Sequence, residues 1–333
     1  MDSVTQIALG AAVGYAVLWR RVGYRAALWG GVCGTLPDLD VFISMGGPVA
    51  DFTYHRSFSH SLLILPLLVP LISWLILRIH PATRPCRAGW HWLVLLVLVT
   101  HPLLDSFTIY GTQLFWPLSE TPIGLGSIFI IDPLYTLPLL AGLIGALSLQ
   151  RRPRLAPRFN QAGLLLSSLY LGWSVAIQAH VTSLAEQTLA DGHPPFERLL
   201  VTPAPFNTLL WRVVAMNEQG YQEGYHSLLD GSSRIHFDQY PSNTRLLDNL
   251  QQHWPATRLQ WFTLGFYKVE EQNGSVVISD LRMGAEPDYV FQFKVATVSN
   301  PHPRPIPDER VLTPRNWSRV PDMIRRIWTE PEA

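Results

Sequence analysis

Three short stretches of the chain carry residue types able to hold a metal ion or move a proton. GTLPDLD supplies Asp38 and Asp40, YHRSFSHS supplies His55, Arg56 and His60, and HPLLD supplies His101 and Asp105. His101 and Asp105 are four apart, so on a helix both side chains face one way and can reach one ion. Imidazole together with carboxylate suits Zn, Mn or Fe rather than Ca. His55 and His60 are five apart, off the spacing of one helical face. A loop-to-helix junction would let His55 swing in while His60 sits in the first turn. Arg56 between them can pair with a carboxylate or hold a phosphate or other anion. Asp38 and Asp40 alternate in an extended stretch and share one side, so one can be a ligand and the other a base or a supporting carboxylate. Asp2 and Asp132 are single carboxylates at helix starts, where capping alone would explain them. Taken singly, each of these groups has an ordinary explanation in solvation or capping. Their gathering within a mostly apolar region does not.

The surrounding composition says what kind of scaffold must position them. The 333 residues are 48% hydrophobic and 15% charged, with a mean hydropathy of +0.14. That is too apolar for a typical soluble enzyme and too polar for a pure transporter. The 25 basic and 25 acidic residues balance, so no net field argues for nucleic acid, and none is expected as a partner. Cys33 and Cys86, the only cysteines, make neither a disulfide framework nor a thiolate metal site. The start of the chain shows neither a basic leader region nor a cleavage site. Nearly every long apolar run lies before His180. Val4 to Trp19 and Ala26 to Leu36 are rich in small residues and predict a short, tightly packed helical hairpin. Leu62 to Ile79, Trp92 to Phe107, Ile128 to Leu149 and Ala162 to Val181 predict longer spans, the first kinked but not broken by Pro66 and Pro70.

Three basic connections, Arg20 to Arg25, Arg78 to Arg87 and Gln150 to Arg158, should stay on the cytoplasmic side of the membrane. Alternation then puts Asp2, the Asp38 to His60 loop, the His101/Asp105 end and Asp132 on the opposite face, with the bilayer as partner of the multi-pass region. The tail emerges there too. It reads as a separate α+β domain: paired strands at Leu209 to Met216 and Tyr221 to Leu228, another pair at Gln260 to Val269 and Val276 to Leu281 around Gln272-Asn273-Gly274, and a further strand at Val290 to Val298. Thr244 to Gln252 reads as helix, PHPRPIP as irregular, and Pro321 to Trp328 as a short helix.

MDSVTQ, GTLPDLD, HRSFSHS, HPLLD, IYGTQ and IDP stand in the order and approximate spacing of the bacterial membrane-bound metal-dependent hydrolases of the YbcI/YdjM type, which the first 135 or so residues closely resemble. The resemblance implies functional roles for Asp2, Asp38, Asp40, His55, Arg56, His60, His101, Asp105 and Asp132, with Tyr110, Gly111, Thr112 and Gln113 shaping the pocket. Gln6 departs from the family pattern, which has histidine there, and Ser57 and Ser59 replace its Gly and Thr.

Residues 1–182 are therefore expected to form a multi-span, mainly α, transmembrane hydrolase domain, and residues 183–333 a smaller extracytoplasmic α+β domain. His55, His60, His101 and Asp105 are the expected ligands of a divalent metal, most simply Zn. Asp38 or Asp40 is a further ligand or base, Arg56 an anion clamp, and Asp2 and Asp132 are possible further ligands. A membrane-delivered phosphoester or other small lipid-like molecule is the expected substrate. The competing expectation is a non-enzymatic membrane protein with a structural or vestigial metal site and a partner-binding tail.

Overall fold

A computed structural model describes residues 1–191, 194–232, 234–312 and 317–330. The chain divides into two compact units, Met1–Phe42 with His55–Val175, and Ile43–Tyr54 with Ala176–Ala333. The short segment Ile43–Tyr54 thus leaves the first unit and returns to it.

In the first unit, α1 (Ser3–Val22) and α2 (Arg25–Thr35) form the hairpin that the small residues predict. A Cβ on Gly10 would lie 2.4 Å from the Gly30 carbonyl oxygen, and one on Gly34 would lie 2.7 Å from that of Gln6. Only glycine permits backbones to approach this closely. Beyond α3 (Pro48–Tyr54) come α4 (Leu65–Ile79), α5 (Arg87–Asp105), α6 (Pro133–Ser148) and α7 (Ala156–Ala190). The hairpin packs on α5: Leu18, Val22, Ala26 and Cys33 share a buried cluster with Trp90, Leu93, Val94, Val97 and Leu98, and α4 adds Val69 and Ile76. A second cluster joins Ala8, Leu9 and Ala12 of α1 to Leu104, Tyr135 and Leu139. The opposite faces of α4 and α7 expose Leu67, Leu71, Trp74, Leu165, Leu169 and Trp173, an apolar surface of the kind lipid covers.

Among the described residues two helical stretches, Pro81–Asp105 and Ala156–Ala190, are long and apolar enough to cross a membrane, or three if the broken pair Pro48–His60 and Leu65–Ile79 counts as one span. The run from Leu62 becomes helical only at Leu65, with Pro66 in its first turn and Pro70 inside. The run from Ile128 starts late, because Asp132 caps α6 and Pro133 opens it. The last run, by contrast, extends beyond both predicted ends as the 35-residue α7.

The second unit is rich in antiparallel strand, and about half of the described residues of the chain are helical. One sheet has the order β1-β2-β3-β4, from β1 (Arg198–Pro203), β2 (Leu210–Asn217), β3 (Gly220–Ser227) and β4 (Phe237–Pro241). The other has the order β10-β9-β6-β5, from β5 (Tyr267–Gln272), β6 (Ser275–Asp280), β9 (Gln292–Thr297) and β10 (Arg304–Arg310). A small pair, β7 (Gly284–Ala285) and β8 (Asp288–Tyr289), lies between β6 and β9 in sequence. The Asn-Gly turn falls where predicted, with Asn273 and Gly274 at φ +50° and +74° between paired Gln272 and Ser275.

Three local expectations fail. The start of the predicted Gln260 to Val269 strand belongs to α8 (Trp254–Phe262), which carries a proline in its first turn and buries Pro255, Ala256, Leu259 and Phe262 at helical spacing. Only a 3-10 turn, Thr244–Leu247, occupies the predicted helix before it. The Pro-rich stretch enters β10, an edge strand with a register shift between Pro305 and Glu309, where proline's missing N–H is tolerated. At the end, α9 (Val320–Arg326) covers much of the predicted short helix.

The end of α7 contributes Val181, Ala185 and Leu189 to a core with Val201, Trp211, Val213 and Ala215. The inserted α3 is held in the same unit. The Phe52 ring lies 4.4 Å, 4.9 Å and 5.2 Å from those of Phe291, Phe262 and Phe293, and the Val49 N–H donates to Asp308.

Candidate metal centre

The end of α2 explains the orientation of His101. Its last carbonyls lack helical partners, and His101 Nδ1 lies 2.7 Å from the Gly34 oxygen. A carbonyl only accepts, so the proton is on Nδ1 and the Nε2 lone pair faces inward. His60 is fixed in the same sense: its Nδ1 lies 2.9 Å from Ser59 Oγ, which itself donates to Asp40 Oδ2 at 2.5 Å. The two Nε2 atoms meet 3.2 Å apart. Asp38 Oδ1 lies 3.4 Å from His60 Nε2 and 3.5 Å from His101 Nε2, while Asp105 Oδ2 lies 3.3 Å and 3.5 Å from the same atoms.

One ligand atom from each of Asp38, His60, His101 and Asp105 falls within 4.8 Å of the other three. His60, His101 and Asp105 are buried, whereas the Asp38 side chain is 23% exposed, so approach to the cluster is past Asp38. Asp105 Oδ2 is buried and accepts no hydrogen bond. Converging nitrogen lone pairs and carboxylate oxygens repel one another unless a cation lies among them, and Arg56 and the Met1 amino group reach only Asp105. Two imidazoles and two carboxylates form a donor set that fits a divalent transition ion.

Asp40 has a different place. Its carboxylate accepts from the Arg56 N–H at 3.0 Å as well as from Ser59, and its Oδ1 lies 2.8 Å from His55 Nδ1. Burial pushes this carboxyl up, but the His55 hydrogen bond and charge outweigh burial and hold it below the usual range. His55 lies outside the group of four; its ring centroid is 6.0 Å from that of His60 and 5.4 Å from Tyr110.

Arg56 adopts φ +63°, a left-handed conformation unfavourable for an arginine, held by its N–H to Asp40 and its carbonyl from the Gln113 N–H at 2.9 Å. Its buried side chain reaches inward, with Nε 3.4 Å from Asp105 Oδ2, Nη1 donating to Thr108, and the guanidinium 5.1 Å from the Tyr110 ring. Tyr110, Gly111, Thr112 and Gln113 form a buried loop against the Arg56 backbone, with Gly111 at φ +102° and Thr112 bridged to Ile123.

Asp2 and Asp132 are N-caps. Asp2 accepts from the N–H groups of Val4 and Thr5, and Asp132 from those of Leu134 and Tyr135 and from the Tyr170 hydroxyl. Neither belongs to the group of four. Gln6 stands at the centre itself, its Nε2 donating to Asp105 Oδ1 at 3.0 Å while its buried Oε1 has no partner. The terminal amino group of Met1 also contacts Asp105. Sequence reasoning missed Gly34, whose carbonyl orients His101, and Ser59, which links His60 to Asp40. The signal for Ser59 was its place directly before His60 and inside the span from Asp40.

Residues 1–181 match the family described as YdjM inner membrane protein, and the chain belongs to that family. It is 31% identical over 153 residues to the uncharacterized protein YfhP of Bacillus subtilis (strain 168), a match covering 43% of this chain and 45% of that one. The chain thus spans less than half the length of this curated relative. No solved structure matches it.

Proposed function

We propose that this member of the YdjM inner membrane protein family is a membrane-bound metal-dependent hydrolase acting on a phosphoester or lipid-like substrate at the membrane interface. The convergence of Asp38, His60, His101 and Asp105 carries that reading. These four residues would hold a divalent ion, Zn foremost and Mn or Fe as alternatives; when bound, such an ion acidifies a water and polarises the scissile bond. The Gly34 carbonyl and the Ser59–Asp40 pair orient the two imidazoles so that both Nε2 lone pairs point inward. Asp40 is filled by its own hydrogen bonds, which favours orientation over proton transfer as its role. Asp38, the exposed member, is the better general base or exchangeable ligand. Arg56 Nε lies 3.4 Å from Asp105 Oδ2, at the edge of the cluster where the guanidinium can also meet a substrate anion.

In this reading residues 1–182 make the hydrolase domain and residues 183–333 an extracytoplasmic domain on the same side as the site. The arginine-rich connections support that orientation, and a reporter fused after Val181 should prove extracytoplasmic.

Elemental analysis of the purified protein should find a transition metal that is lost in the His60→Ala/His101→Ala double variant, and the loaded protein should turn over phosphodiester or lipase substrates. Metal-free wild-type protein would sink the reading. Gln6, at the position where the family has histidine, favours a second one: binding of metal without turnover, with the tail recruiting a partner. Bound metal with no hydrolysis of either substrate class would select it.

A further inference from the structure

At the far end of α1 from the metal centre lies a second polar feature. Tyr15, Trp19 and Arg20 of α1 and Asn160 and Gln161 of α7 line a cavity of about 290 Å³. From Gln6 to Arg20 the helix rises about 21 Å at 1.5 Å per residue, so this cavity is remote from the cluster around Asp105.

Two of its lining residues are almost wholly buried yet incompletely bonded. Tyr15 is 1% exposed and its hydroxyl has no partner; Asn160 is 1% exposed and its Oδ1 has none. The orientation of Asn160 is fixed, because its Nδ2 donates to the Ala12 carbonyl at 2.9 Å, and a carbonyl cannot donate back. The free atom is therefore an acceptor and requires a donor. The Tyr15 hydroxyl can give one hydrogen bond. Its ring stacks on Trp19 at 5.1 Å, which makes a flat aromatic wall, and the exposed Arg20 adds a cation. The volume is far beyond the ~10–15 Å³ that a single water needs.

The setting identifies the ligand. Trp19, Arg20 and Arg21 close an apolar helix, and Arg151, Arg152, Arg154 and Arg158 surround the start of α7. Tryptophan and arginine at the end of an apolar helix mark headgroup depth, and clustered arginines attract anionic headgroups. We propose that this cavity binds a phospholipid headgroup that combines a phosphodiester with a hydrogen-bond donor, such as phosphatidylethanolamine or phosphatidylglycerol. Arg20 and the Tyr15 hydroxyl take the phosphate oxygens, and Asn160 Oδ1 takes the ammonium or hydroxyl donor.

Thermal unfolding of the full chain in detergent, with single lipids added, tests this. Phosphatidylethanolamine or phosphatidylglycerol should raise the melting temperature, and phosphatidylcholine, whose headgroup has no donor, should not. Arg20→Gln should weaken the dependence on lipid concentration by about tenfold, the loss of one charge-assisted hydrogen bond. Tyr15→Phe should match or exceed the wild type without lipid, because it removes an unpaired hydroxyl, and yet lose most of the lipid-dependent gain. Equal stabilisation by all three lipids, unchanged lipid response in both variants, or an equal response to water-soluble glycerophosphoethanolamine would each overturn the proposal.

Discussion

In the tail unit, Arg212 donates to Glu223 at 2.7 Å and to the Leu281 carbonyl, and Glu223 also accepts from the hydroxyls of Tyr225 and Tyr289. Arg282 holds Asp280 with a fork of Nε and Nη2 contacts, the shorter at 2.7 Å. In the helical unit, His60, His101 and Asp105 are buried as deeply, but the inward atoms of the two imidazoles face acceptors rather than complements, Asp105 Oδ2 has Arg56 Nε no nearer than 3.4 Å, and Gln6 Oε1 is left over. Both units bury charge at comparable depth, so burial does not separate function from architecture. What separates them is closure: in the tail Arg212 and Arg282 match Glu223 and Asp280 one to one, whereas in the helical unit Arg56 and the Met1 amino group reach only Asp105, and the inward atoms of Asp38, His60 and His101 converge without a cation of their own.

The largest expected effect tests closure in the tail. Arg212→Ala leaves Glu223 buried without its partner and should cost about 3–5 kcal/mol, seen as faster hydrogen exchange across β2 and β3 with metal content unchanged. His60→Ala in metal-free protein should cost clearly less, since it relieves a repulsion. If the two variants lose equal stability, the helical cluster is a closed structural network and the contrast collapses.

A smaller effect probes where the units are covalently interlaced. Asp40 and His55 bracket a segment whose middle belongs to the tail unit, where Phe52 is 5% exposed among three phenylalanine rings. Phe52→Ala should destabilise the tail by about 3 kcal/mol and weaken metal retention in equilibrium dialysis. Unchanged retention would mean that the Asp40–His55 contact alone secures the loop base.

These two regions also differed in how far the sequence revealed them. His101 and Asp105 were legible because helical spacing alone puts them on one face. Asp38 and His60 were legible as residue types, but their meeting depends on two 3-10 segments, Pro37–Phe42 and Phe58–His60, that no periodicity announces. His55 and Asp40 carried the right residue types, but their direct hydrogen bond is a matter of loop closure. The same holds for α3, seven residues whose apolar side chains pack into a unit built from residues more than 120 positions later. In the tail, strands with Gly-containing turns were readable. Helix α8 was mistaken because its aromatic residues suit a strand equally well, and β10 because edge strands accept the prolines that otherwise argue against a strand.

Gln6 offers a way to sharpen the contrast from the open side. Its Nε2 bonds Asp105 directly and its Oε1 is free. Gln6→His restores the family pattern and should raise Zn affinity by roughly 10- to 100-fold, the range set by groups that support metal ligands. Competition with a chelator of known affinity measures it. Unchanged affinity would place the residue outside the coordinating shell.

The smallest effect is a pH dependence confined to the closed side. Burial pushes the Glu223 carboxyl up, but the charge and hydrogen bonds of Arg212 outweigh burial and hold it below its ordinary value of 4.5. A carboxyl depressed in the folded state contributes stability that is fully present above its unfolded value and lost as pH falls through the folded one. The tail should therefore hold its stability down to about pH 4.5 and weaken below it. Glu223→Gln mimics the protonated form at every pH. It should lower stability at neutral pH and flatten the acid slope of the same β2 and β3 amides in hydrogen exchange. An unchanged slope would mean that other carboxylates govern the acid response, and that the Arg212–Glu223 pair does not account for the tail's handling of buried charge.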